Sequence, residues 1–176
     1  LASALFNKID IKNKTVVIIA SGGNVDSDIF EQIYVLNQEN TPEVGSLSSI
    51  KDLQDLIRLS SINYYVISQD KIIGFIICFR EQSAYNSENY KFFSKEEKEF
   101  LYIDRIAINY KYRRFGIGKN LYLKIESIAV DNDLPICCEV NTDPLNAISI
   151  KFHKDFGFSE IGNYKFRDHS VAYFKK

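Results

Sequence analysis

Methionine is missing from the 176 residues. We therefore expect the chain to start downstream of its native first codon, with some N-terminal sequence removed. Cysteine is scarce: Cys78, Cys137 and Cys138 all fall in apolar, strand-like runs, and two of them are adjacent. This pattern has neither metal-ligand spacing nor a disulfide framework, and it points to a reducing, cytoplasmic setting. Long hydrophobic runs are also lacking. Nothing approaches the ~20 apolar residues of a spanning helix, and the opening "LASALFNKIDIKNK" has no basic head or long apolar core of a signal peptide. Excess charge of one sign is absent too. A formal net charge of -1 and a pI of about 6.2 remove the electrostatic case for nucleic acid or an anionic membrane as main partner. There is no internal repeat and no low-complexity tract. What is present is ordinary for a globular chain, 45% hydrophobic and 26% charged, with length for one domain and a substantial core.

The most informative stretch is Leu101 to Val130, "LYIDRIAINYKYRRFGIGKNLYLKIESIAV". Leu101, Ile103, Ile106, Ala107 and Ile108 form a short apolar run rich in β-branched residues, which reads as a buried strand. Ile117, Leu121, Ile125 and Ile128 recur at helical spacing. Between them lies Arg113-Arg114-Phe115-Gly116-Ile117-Gly118-Lys119. Glycines let a ligand approach the backbone, and the first turn of a helix leaves N–H groups unpaired. The helix dipole adds roughly 0.3 to 1 kcal/mol of preference for an anion. Charge-assisted bonds from Arg113, Arg114 and Lys119 add about 1.5 to 3 kcal/mol each. A phosphate is the expected occupant. The turn is not Gly-x-x-x-x-Gly-Lys-Ser/Thr, because Asn120 follows Lys119, nor Gly-x-Gly-x-x-Gly, because Leu121 stands where the third glycine would fall. It is Arg-x-x-Gly-x-Gly.

The remaining elements follow from periodicity and breakers. Thr15 to Ala20 reads as a strand stopped by Ser21-Gly22-Gly23, and Asp26 as the cap of a helix through Ile29, Ile33 and Leu36. Asn37 to Ser49 reads as a polar linker, followed by a helix through Leu53, Leu56 and Ile57. "YYVIS" and "IIGFIICFR" form a hairpin about Gln69-Asp70-Lys71, with Gly74 at a bulge or close approach. Ser83 to Phe93 reads as an aromatic loop and Lys95 to Glu99 as a solvated helical turn. "ICCEV" after Pro135 is a strand, Asn146 to Phe156 a helix ended by Gly157, and Phe158 to Ile161 and Tyr164 to Phe174 two closing strands. This order predicts a mixed α/β fold, one sheet with helices on both faces.

The glycine turn resembles the pyrophosphate-binding motif of the GNAT acetyltransferases, and the order of elements is similar to theirs. The resemblance extends to "EVNTDPLNAISIKFHKDFGF", which looks like the closing GNAT motif, carried by Val140, Asn141, Asn146, Phe152, His153, Gly157 and Phe158. It implies one GNAT domain over residues 15–176 after an extension over 1–14, with a mostly antiparallel sheet splayed between its fourth and fifth strands. Acetyl-CoA would be the co-substrate, without a metal. Its pyrophosphate would lie on Arg113 to Lys119 and its pantetheine arm along the backbone of Ile106, Ala107 and Ile108. Asn141, Asn146 and Phe152 would complete that site, though Asn146 is equally well read as a helix cap.

The resemblance also implies the chemistry. Where the family commonly carries a tyrosine that protonates the departing thiolate, this chain has His153. With an ordinary pKa of about 6.5 it is weighed slightly above a structural histidine as general acid. An amine arrives protonated, with a pKa of about 10.4 for a lysine, and needs a base. Glu139 stands where ribosomal-protein N-terminal acetyltransferases carry a glutamate base, and Asp104 is the substitute base or substrate anchor. The bland alternative for Asp104 is an ion pair, but Arg105 is next in sequence and strand alternation points it to the opposite face. Tyr85, Tyr90 and Phe93 would wall the acceptor pocket, or else pack over the sheet. The expected activity is direct acetyl transfer to a primary amine of a small molecule or protein. The alternatives are a catalytically silent CoA-binding module and, with less support, a nucleotide-phosphate enzyme. The oligomeric state is open, a homodimer included.

Overall fold

The computed structural model describes residues 16–19 and 27–176. Its elements are β1 (Val16–Ile19), α1 (Ser27–Gln38), α2 (Ile50–Leu59), β2 (Ile62–Ser68), β3 (Lys71–Arg80), α3 (Glu88–Glu96), β4 (Leu101–Ile108), α4 (Ile117–Asp131), β5 (Ile136–Asp143), α5 (Ala147–Asp155), β6 (Ser159–Lys165) and β7 (Ser170–Lys175). A 3-10 turn, Tyr110–Tyr112, joins β4 to the glycine turn. The expected helix cap at Asp26 and the extension over 1–14 lie outside the described residues.

The seven strands run in the order β1-β2-β3-β4-β5-β7-β6. Every neighbouring pair is antiparallel except β4 and β5, which are parallel because α4 carries the chain back across the sheet. Two cores result. Ile117, Leu121, Tyr122, Ile125 and Ala129 of α4 cover one face, over Leu101, Ile103, Cys138 and Val140. Ile33 and Leu36 of α1, Leu53 and Leu56 of α2, and Tyr90 and Phe93 of α3 cover the other. Helices thus lie on both faces, as the element order predicted. Leu121 is completely buried, and truncating it to alanine would cost about 2 to 5 kcal/mol. All three thiols are free and buried, and burial raises their pKa.

Several local expectations need correction. The aromatic loop is half helix: Ser87 caps α3 by accepting from the N–H of Tyr90, and the aromatic side chains pack inward. The helical turn over Lys95 to Glu99 is only the end of that helix, which stops at Glu96. The supposed polar linker starts inside α1, and two of its asparagines are buried. Asn37 donates to the carbonyl of Gly45, and Asn40 to that of Leu36. The last strands exchange Tyr164, which belongs to β6. The β2–β3 turn is tighter than expected, Gln69 and Asp70 alone, both with left-handed φ, the two-residue form that matches strand twist. A Cβ on Gly74 would lie 2.7 Å from Cδ1 of Ile108, so the close approach is real, and the β2–β3 register shifts beside it.

A second irregularity shapes the site. In the β3–β4 ladder Ile77 faces Arg105 and Cys78 faces Ile103, which leaves Asp104 as an extra residue in a β-bulge. Before the bulge Leu101 and Ile103 point toward α4; after it Ile106 and Ile108 do. Asp104 and Arg105 therefore share the opposite face, with Tyr102 and Ala107. The expectation that Arg105 points away from Asp104 fails for this reason.

Candidate active site

The parallel pairing of β4 with β5 is short. Leu101, Tyr102 and Ile103 face Ile136, Cys137 and Cys138, and the ladder ends there. Beyond it β4 stays paired to β3 and β5 to β7, while the two strands part from each other. The backbone edge of Ile106 to Ile108 faces this opening without a strand partner among the described residues, the arrangement that admits an extended ligand arm.

At the outer end of the opening lies the glycine turn. Gly116 is the N-cap of α4 with φ +80, and no side chain caps the helix. A Cβ there would meet nothing within 4 Å, and one on Gly118 would only just reach Cγ1 of Ile108, 4.0 Å away. The first-turn N–H groups thus face a bare, accessible cradle. Arg114 also has a left-handed φ, +66, an unfavourable conformation for a residue with a side chain. Arg114, Phe115 and Lys119 are exposed. Arg113 is used differently from expectation. Its Nη2 donates to Oδ1 of Asn40 at 2.7 Å and its Nε to the carbonyl of Ile108 at 3.2 Å, so it fastens the turn to α1's end and to β4. The cradle fits a diphosphate through backbone donors, Arg114 and Lys119.

At the inner end, Asp104 and Glu139 are the first residues past the last parallel pair, on one face of the fork. The two carboxylates differ in company. Asp104 is ion-paired with Arg105 at 2.6 Å and accepts from the Tyr85 hydroxyl at 2.6 Å. Arg105 is itself held by Oδ1 of Asn37 and the carbonyl of Gly45. Asp104 is thus the ion pair of the bland reading. Among the described residues Glu139 has no cation. Its Oε2 accepts from the Tyr102 hydroxyl at 2.7 Å and its Oε1 from the Asn89 amide at 3.0 Å. Burial, and after it the charge of Asp104, pushes its pKa up to about 8, against the pull of those two donors. Tyr102 and Tyr85 are raised as well, by burial first, so both hydroxyls remain donors.

Other expected site residues are placed elsewhere. Tyr90 and Phe93 are buried and support the sheet, the Tyr90 hydroxyl donating to the carbonyl of Arg80. Only Tyr85, stacked on Phe79, reaches the carboxylates. Asn146 is a cap, accepting from the N–H of Ser149, and Phe152 packs on Tyr122 and Phe156. Asn141 lies on the opening and donates to the carbonyl of Pro42. His153 is a core residue. Its Nδ1 faces the Ser149 carbonyl at 2.7 Å and must carry the proton, which leaves Nε2 to accept from Tyr122 at 2.6 Å. Burial lowers its pKa, so it is neutral with both nitrogens engaged, and the general-acid reading loses its basis. Sequence reasoning missed Asn89, Tyr102 and Tyr173. Tyr102 had a signal, two positions from Asp104 on one strand face; Asn89, in a stretch without period, had none.

The sequence profile described as the acetyltransferase (GNAT) family matches residues 30–158. The chain belongs to that family. Membership makes it an acetyl-CoA-dependent N-acetyltransferase, and the opening between β4 and β5 is the GNAT splay. Among solved structures it is similar to Arabidopsis thaliana Naa50 in complex with the bisubstrate analogue CoA-Ac-MVNAL, at 21% identity over 92% of this chain and 97% of that one, with a TM-score of 0.67. Arabidopsis thaliana NAA60 in complex with acetyl-CoA gives 15% identity, 93% and 98% coverage and a TM-score of 0.69. The ribosomal-protein-S18-alanine N-acetyltransferase of Escherichia coli gives 17%, 91%, 92% and 0.62. At these identities the likeness establishes the GNAT fold alone. None of the curated proteins matches the chain in sequence.

Proposed function

We propose that the protein acetylates a primary amine by direct transfer from acetyl-CoA, with Glu139 as the base. The observation that carries this reading is the position of a carboxylate, without a cation among the described residues, at the fork where β4 and β5 part. The cradle at Gly116 to Lys119 binds the diphosphate, and the open edge at Ile106 to Ile108 pairs with the pantetheine arm. The same edge offers backbone N–H donors to the thioester carbonyl, and holding both substrates in line supplies much of the rate. A carboxylate with a pKa of about 8 accepts a proton from an ammonium far more readily than one near its ordinary value. Asp104, ion-paired with Arg105, is assigned a supporting part, through its charge beside Glu139 and its bond to Tyr85, and not that of the base. A peptide N-terminus is the first acceptor to test, because the Naa50 neighbour holds an acetylated peptide analogue.

The test is release of free thiol from acetyl-CoA over a panel of peptides, amino acids, polyamines and other amines. Turnover that disappears in Glu139→Gln while CoA still binds would support the reading. Tight CoA binding with no turnover across the panel would overturn the reading and favour the silent module.

A further inference from the structure

We infer that Asn89 is a positioning residue for proton transfer: with its amide fixed by Tyr173, it holds the Glu139 carboxylate at the fork, so that the helix between β3 and β4 controls the base. This rests on the reading of Glu139 as the base. The chain of contacts is short and complete. The Tyr173 hydroxyl donates to Oδ1 of Asn89 at 3.1 Å, which leaves Nδ2 to donate to Oε1 of Glu139 at 3.0 Å, while Tyr102 donates to the other oxygen. The carboxylate is thereby gripped from both sides, once by β4 and once by α3.

The helix that carries Asn89 is keyed to the same two tyrosines. Phe92 stacks on Tyr173 with ring centroids 4.0 Å apart, and Phe93 lies against Tyr102 at 5.7 Å. A shift of α3 would therefore disturb both hydroxyls and the amide at once. An amide also suits the task chemically. It stabilises the carboxylate with one hydrogen bond and adds no charge, whereas a lysine or arginine there would hold Glu139 ionised and weaken it as a base.

The experiment follows the Glu139 side-chain carboxyl by carbon NMR across pH, with its signal identified by its loss in Glu139→Gln, alongside kcat across pH for an acceptor found on the panel. Asn89→Ala should raise the carboxyl midpoint by roughly one pH unit and move the rising limb of kcat with it, leaving KM for acetyl-CoA in place. Asn89→Asp, which keeps an acceptor for Tyr173 but sets a second carboxylate against the first, should raise it further, and Tyr173→Phe should raise it less. Unchanged midpoints in folded Asn89→Ala and Tyr173→Phe would overturn the inference. A midpoint that moves in Asn89→Ala while the limb of kcat stays fixed would show the contact to be real but Glu139 not to be the base, and the inference would fall with that reading.

Discussion

The two ends of the splayed opening are built on opposite plans. The outer end is backbone: a glycine cap without a side chain, exposed neighbours, and the unpaired N–H groups of α4. The inner end is side chains: two carboxylates and three tyrosine hydroxyls with an arginine and two asparagine amides, each bonded to another. Among the described residues no buried side-chain nitrogen or oxygen lacks a partner, so the inner end is set before any substrate arrives. In the proposed function the outer end binds a group common to every acyl-CoA donor. The inner end, in that reading, has to move one proton, and a small shift in one bond would change that.

Substitutions separate the two plans. The largest effect should come from Glu139→Gln, with turnover down by about 100- to 10,000-fold at unchanged CoA affinity by calorimetry. His153→Ala should act on stability instead, lowering it by about 3 kcal/mol in chemical denaturation because it opens the aromatic core and strands the Tyr122 hydroxyl. Turnover per folded molecule should stay close to that of the parent protein, and a large loss there would return His153 to the mechanism. Gly118→Glu puts bulk and negative charge on the cradle, where only Ile108 is near. CoA affinity should fall by more than about tenfold, with little change in melting temperature.

The mildest test is pH. Activity should rise through about pH 8 as Glu139 ionises in the free enzyme. The folded pKa lies above the unfolded value, so Glu139's contribution to stability is full below about 4.5 and is lost as pH rises through about 8. Glu139→Gln should flatten that decline in melting temperature between pH 5 and 9, whereas a change at Gly118 should not.

The outer end was the more legible of the two. Arg-x-x-Gly-x-Gly names backbone geometry, and glycine spacing survives in a linear string; so did the strand over Leu101 to Ile108 and the stripe of α4, because their periods are clean. The inner end depends on contacts across 37, 50 and 84 residues, from Tyr102 and Asn89 to Glu139 and from Tyr173 to Asn89. No local pattern encodes these. Asn89 was hidden because polar and aromatic residues alternate there without period, and its helix is held by tertiary packing more than by propensity. His153 was misplaced because motif position says where a residue lies on α5 but not which way its ring turns.

The bulge at Asp104 also resets the rule by which β4 tolerates change. Odd positions, Leu101 and Ile103, answer to the α4 core in the first half of the strand, and even positions, Ile106 and Ile108, answer to it in the second. A polar scan along the strand should therefore show two out-of-step rows of sensitive sites. Deleting Asp104, the extra residue at the seam, would restore a single phase and leave the guanidinium of Arg105 at the fork without its acid.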